Sequence, residues 1–138
     1  MSRSDSQPGP PSPPPRLRFT PAQRLRKPHE FQRVYDGRQR AGDERLLIFA
    51  APNDLGWTRI GLSVSRKQGN SVRRHQLKRL LREAFRLSQH ELPTGLDLIL
   101  IPRAEASAGV AEYRESLLRL TDRLARRLRR GAAASTPP

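Results

Sequence analysis

Residues 66–86, RKQGNSVRRHQLKRLLREAFR, decide the reading of this chain, because they join a glycine-containing turn to a helix with one apolar and one cationic face. At about 100° per residue, Leu77, Leu80, Leu81, Ala84 and Phe85 gather into one stripe, and His75, Lys78, Arg79, Arg82 and Arg86 fall on the opposite side. Glu83 is the single acid of the stretch. A solvated helix usually intersperses acids for i, i+4 pairing, and like charges at that spacing repel. One face can pack on a core, and the other calls for a polyanion. The bland alternative is a charge run that only keeps the helix solvated.

The whole chain agrees with the polyanion reading. Its 138 residues allow one domain with tails, and 27 Lys and Arg against 13 Asp and Glu leave a formal charge of +14, a strong positive field on the folded surface. Duplex DNA, RNA or an anionic membrane could answer it. A membrane binder needs bulky apolar residues free to insert opposite its basic face, whereas strand-like sequence here flanks the apolar stripe and should cover it. No apolar run approaches the roughly 20 residues of a bilayer span, and the N-terminus has no secretory apolar region. A cytoplasmic protein is expected. The absence of cysteine excludes disulfides and thiolate metal sites.

Working outward, residues 1–15 contain SQPGPPSPPP and read as a disordered, Pro-rich tail, and residues 131–138, GAAASTPP, as a second one. The domain is expected between residues 16 and 130. Phe31, Val34 and Tyr35 form an i, i+3, i+4 set on a short helix that Gly37 can end. Residues 45–51, RLLIFAA, read as a strand, and residues 57–65, with Ile60, Leu62 and Val64 alternating, as a second. With the turn PNDLG between them they are expected to pair as a hairpin. Asn70 or Ser71 is the candidate N-cap of the basic helix, which should fade near Gln89. GLDLILIP then reads as a buried strand. Residues 110–130 form an Arg-rich helix with Tyr113, Leu117, Leu120, Leu124 and Leu128 inward. The fold class is α+β: a small mixed or antiparallel sheet packed with three helices, in the order helix, two or three strands, helix, strand, helix.

Three features bear on chemistry. The basic helix offers its start to phosphate, through free N–H groups and the dipole flanked by Lys67, Arg73 and Arg74, although the turn before it can also be a plain connection. Phe31 and Tyr35, one turn apart, are either core residues or a floor on which unpaired bases stack. Catalytic constellations are missing: His29, His75 and His90 are scattered, and the acids form no cluster for metal ions. No catalytic or metal-ligating residue is assigned.

The residues from Gly61 to Glu83 carry a longer pattern. GLSVSRKQGNSVRRHQLKRLLRE resembles, without a gap, the signature G-L-x-V-S-K-K-x-G-x-A-x-x-R-N-R-x-K-R-x-x-R-E of the protein subunit of bacterial ribonuclease P. The similarity extends through Phe31, Val34 and Tyr35, through Arg40-Ala41-Gly42 and through the strand at residues 96–101. His75 and Gln76 stand where that pattern has Asn and a second Arg, so one cation is lost.

The resemblance implies a chain that assists an RNA catalyst. In that family an RNA subunit with bound magnesium removes the 5′ leader of precursor tRNA, with one protein expected per RNA and no cofactor held by the protein itself. The resemblance implies that Arg66, Lys67, Arg73, Arg74, His75, Lys78, Arg79 and Arg82 meet the RNA subunit. Phe31 and Tyr35, with Ile48, would face the single-stranded leader in a cleft between the first helix and the sheet. It also implies a left-handed βαβ crossover around the basic helix. Other readings are a basic ribosomal or structural RNA-binding protein, a DNA-binding regulator, and a nuclease acting alone. The DNA reading wants a helix before the basic helix, where a strand is expected instead.

Overall fold

The computed structural model describes residues 18–104 and 107–135, with side chains up to Gly131. A 3-10 turn at Pro21–Gln23 leads to α1 (Pro28–Asp36), β1 (Arg40–Gly42), β2 (Leu46–Pro52) and β3 (Arg59–Leu62). A second 3-10 turn at Arg66–Gln68 precedes α2 (Ser71–Ser88), β4 (Leu96–Pro102) and α3 (Val110–Ser135). The class and order are those expected from sequence, with β1 as the third strand before the basic helix.

The strands form one sheet in the order β1-β2-β4-β3. β4 runs antiparallel to β2, with Ile48 opposite Leu100, and parallel to β3, with Gly61 opposite Ile99. The expected hairpin between β2 and β3 is therefore wrong, because β4 lies between them. The physical reason is in GLDLILIP: a strand with almost every residue buried needs a paired neighbour on each edge. The true hairpin is β1–β2, closed by Asp43, whose Oδ1 accepts from the N–H of Arg45 and of Leu46 at 2.9 Å each. The β3–α2–β4 crossover that the resemblance implied is in place, its two strands parallel.

Alternation sorts the sheet into two faces. Leu46, Ile48 and Ala50 of β2, Leu98 and Leu100 of β4, and Ile60 of β3 pack with Leu77, Leu81 and Phe85 of α2 and Tyr113, Leu117, Leu120 and Leu124 of α3. Burying each large side chain contributes about 1.5–3 kcal/mol. On the other face, α1 covers a smaller cluster of Leu25, Val34, Ala51 and Ile99, and Phe31, Tyr35, Phe49 and Ile101 remain partly open beside it.

One boundary differs from expectation. α3 runs on to Ser135, into the segment read as a tail, because Gly131-Ala-Ala-Ala lacks a breaker strong enough to end a helix already docked through its first turns. The Pro-rich residues 1–15 lie outside the described residues.

Candidate nucleic-acid interface

The turn before α2 is built to hold its cations outward. Ser65 N–H donates to Gln68 Oε1 at 2.7 Å, and Gln68 Nε2 donates to the carbonyl of Pro102 at the end of β4, at 2.9 Å. Arg66 and Lys67 are thereby fixed on an exposed turn. Gly69, at φ 132° and ψ −164°, makes the join to α2 in a region that only glycine occupies at low cost. Asn70 then caps the helix, its Oδ1 accepting from Arg73 N–H at 2.9 Å. That bond occupies one of the donors that the sequence reading offered to a phosphate, so side chains, more than the helix start, carry the positive surface.

The eight residues expected to meet the RNA subunit do not form one comb. His75 and Arg79 are exposed, with Arg66 and Lys67 on the turn below them, and Arg73, Arg74, Lys78 and Arg82 are half-buried. Arg73 and Arg79 line a cleft on one flank of α2, with Gln76, Glu83 and Val110. Arg74 lies against the core side, its Nε buried. Lys78 and Arg82 turn the other way, into a cleft of about 170 Å³ shared with Phe19, Arg24, Arg26 and Phe31. No carboxylate lines that cleft among the described residues. Burial, and then the like charge of Arg24, push the Arg82 guanidinium below its ordinary pKa. Cations held together without an acid are a standing attraction for an anion. Arg24 also stacks over Phe19, 4.9 Å from the ring centroid.

The aromatic wall comes from α1. Phe31 is half-buried and lines the cationic cleft, and Tyr35, one turn on, meets Phe49 of β2 edge to face, with centroids 4.9 Å apart at 76°. Ile48, assigned to the leader with them, is a correction: it is fully buried under α2 and α3. Strand geometry explains the miss, since side chains alternate faces and a shift of one residue exchanges surface for core. Phe49 occupies the open side, with Ile101 on the neighbouring strand. Their signal was present in the alternation of LLIFAA. Arg24 and Phe19 were also missed, because the residues before α1 carry no periodicity.

A buried carboxylate locks α1 in this position. Asp97 of β4, with no side-chain exposure, accepts from Arg59 Nε at 2.8 Å and Arg59 Nη2 at 2.6 Å, from Arg33 Nη2 at 2.5 Å and from Asn53 Nδ2 at 2.9 Å. Arg59 also reaches Glu30 of α1 at 3.1 Å. Burial alone would push the Asp97 carboxyl up, but the Arg59 and Asn53 hydrogen bonds, the Arg59 charge and the Arg33 bond together hold it below its ordinary value. Glu30 is lowered chiefly by the N–H groups of Lys27 and Arg26, which it accepts at the start of α1.

Among the described residues no three His or carboxylate side chains cluster to hold a metal, and no helix is long and apolar enough to cross a membrane. The arrangement can do something else: stack bases on Phe31, Tyr35 and Phe49 while Lys78, Arg82 and Arg24 neutralise the phosphates beside them.

Comparison with known proteins points the same way. The family model for Ribonuclease P matches residues 19–125. The ribonuclease P protein component of Photobacterium profundum is 40% identical over 116 residues, 83% of this chain and 95% of that one. That of Natranaerobius thermophilus is 42% identical over 82 residues, 59% of this chain and 71% of the relative. Among solved structures, the RNase P protein from Thermotoga maritima superposes with a TM-score of 0.67 at 32% identity, over 72% of this chain and 96% of that one. With the match spanning α1 through most of α3, the chain belongs to the ribonuclease P protein family.

Proposed function

We infer that this chain is the protein component of ribonuclease P, a subunit of the endoribonuclease that removes the 5′ leader from precursor tRNA. The observation that carries this reading, beyond family membership, is the acid-free cleft in which Arg24, Lys78 and Arg82 stand beside Phe31. The RNA subunit performs the bond breaking and brings magnesium with it, and the roles read for this chain's own side chains are binding and positioning. The exposed side chains of Arg66, Lys67, His75 and Arg79 meet the RNA subunit, with Arg73 and Arg74 behind them. The single-stranded leader runs over Phe31, Tyr35 and Phe49, its phosphates toward Lys78 and Arg82.

Each contribution is one of binding and positioning. Cations lower the repulsion between two RNAs, and an aligned leader converts an encounter into a held geometry. One protein serves one RNA, in the cytoplasm. The test is cleavage of precursor tRNA by purified ribonuclease P RNA with and without this chain, across magnesium and salt. Stimulation that is strongest at low magnesium and fades with salt is expected. No stimulation, with the chain instead co-sedimenting with ribosomal subunits, would favour a structural RNA-binding role.

A further inference from the structure

A second cationic surface lies on the opposite edge of the sheet from the cleft. Arg119, Arg123, Arg126 and Arg130 of α3 are all exposed and recur at i, i+4, i+7 and i+11. At 1.5 Å per residue they make a stripe about 16 Å long on one helix face. Arg119 pairs with Asp43 of the β1–β2 turn, and Arg127 Nη1 donates to the carbonyl of Arg40 in edge strand β1 at 2.7 Å. These contacts turn the stripe toward the β1 edge, whereas Lys78 and Arg82 face the β3 side. With neighbouring strands about 4.8 Å apart, the two surfaces stand on separate flanks.

The stripe is poorly compensated. Asp122 pairs with Arg126 at 2.9 Å, but Arg123 and Arg130 have no carboxylate partner among the described residues. Arg119 with Arg123, and Arg126 with Arg130, are like charges at i, i+4, a spacing that destabilises a helix. The helix dipole favours cations only in the last turn, and all four arginines lie before it, since α3 runs to Ser135. The stripe also runs past residue 125, where the family match ends. All four of its side chains are Arg, with no aromatic group among them on which a base could stack, so it suits a phosphate backbone rather than unpaired bases.

We propose that the outer face of α3 is a second RNA-binding surface, which grips the phosphate backbone of a base-paired segment of the RNA subunit while the cleft holds single-stranded RNA. The proposal rests on the ribonuclease P reading.

The test is binding of the full chain to ribonuclease P RNA as a function of salt, for the wild type, for Arg123→Gln/Arg126→Gln/Arg130→Gln, for the corresponding triple Lys variant, and for Lys67→Gln/Arg79→Gln. Each duplex phosphate contact removed should lower the slope of log affinity against log salt by roughly 0.9, up to about 2.7 for the Gln triple, with the circular dichroism of the protein unchanged. The Lys triple should keep the slope; losing as much as the Gln triple would overturn an electrostatic role. An unchanged slope in the Gln triple, with the Lys67/Arg79 variant weakened, would overturn the α3 surface and leave the RNA-subunit reading standing. Unchanged binding in both would sink both. Loss by the Gln triple of binding to anionic phospholipid vesicles, with RNA binding intact, would reassign the stripe to a lipid surface.

Discussion

Phe31 occupies the space that a side chain on Gly61 would need: a β-carbon there would stand 2.5 Å from Phe31 Cζ and 2.8 Å from Cε2. The glycine of β3 thus lets α1 settle onto the sheet and sets the depth at which the aromatic wall meets the cations of α2. Gly61→Ala should lift Phe31 out of register, costing about 1–3 kcal/mol as an overpacking change and weakening single-strand affinity at the same time. Urea denaturation and binding of a leader-length oligonucleotide check the two effects together.

Phe49 and Ile48 are neighbours on opposite faces of β2, Ile48 in the core and Phe49 partly open beside α1. Phe49→Ala should weaken leader binding by about 1–3 kcal/mol, the range found when a stacking aromatic is truncated. Ile48→Ala should cost about 2–5 kcal/mol of stability through the cavity it leaves, with leader affinity per folded molecule unchanged. The reverse pattern would return Ile48 to the cleft.

Asp97 makes stability depend on acid. Its carboxyl lies below the ordinary 3.8 when folded, so its stabilising contribution is present above the unfolded value and is lost as pH falls through the lower, folded value. Asp97→Asn should cost about 3 kcal/mol near neutrality, the low end for breaking a buried pair, because Arg59 keeps a fifth of its side-chain surface in water. It should also flatten the acid limb. Urea midpoints taken between about pH 6 and pH 2 read both effects; a limb as steep as the wild type would clear Asp97 of the role.

Lys78 and Arg82 should act through charge. Lys78→Gln and Arg82→Gln should each lower the salt slope of single-strand binding by roughly 0.7, leaving stability nearly unchanged for Lys78 at least. Fluorescence titration of a labelled leader across salt concentrations measures the slope, and a flat response in both variants would remove the cleft from the account.

The local signals were legible in sequence. The 3.6-residue spacing of Leu77, Leu81 and Phe85, a cap at Asn70 or Ser71 and the largely apolar run of GLDLILIP, broken only by Asp97, each report on neighbours within a few positions, and hydrophobic burial and capping act at that range. Which strand lies beside β2, which parity of LLIFAA faces the open side, and the meeting of Arg24 with Arg82 depend on groups far apart along the chain. β4 displaced β3 from β2 because a strand buried on both faces must be paired on both edges, and no local pattern in residues 45–65 carries that demand. A cationic helix on an apolar base, and the family, can be read from residues 61–83 alone. Tertiary structure alone decided where those cations point and which aromatics share their cleft, because the meeting of side chains from separate elements follows from the packing of the sheet and helices as a whole.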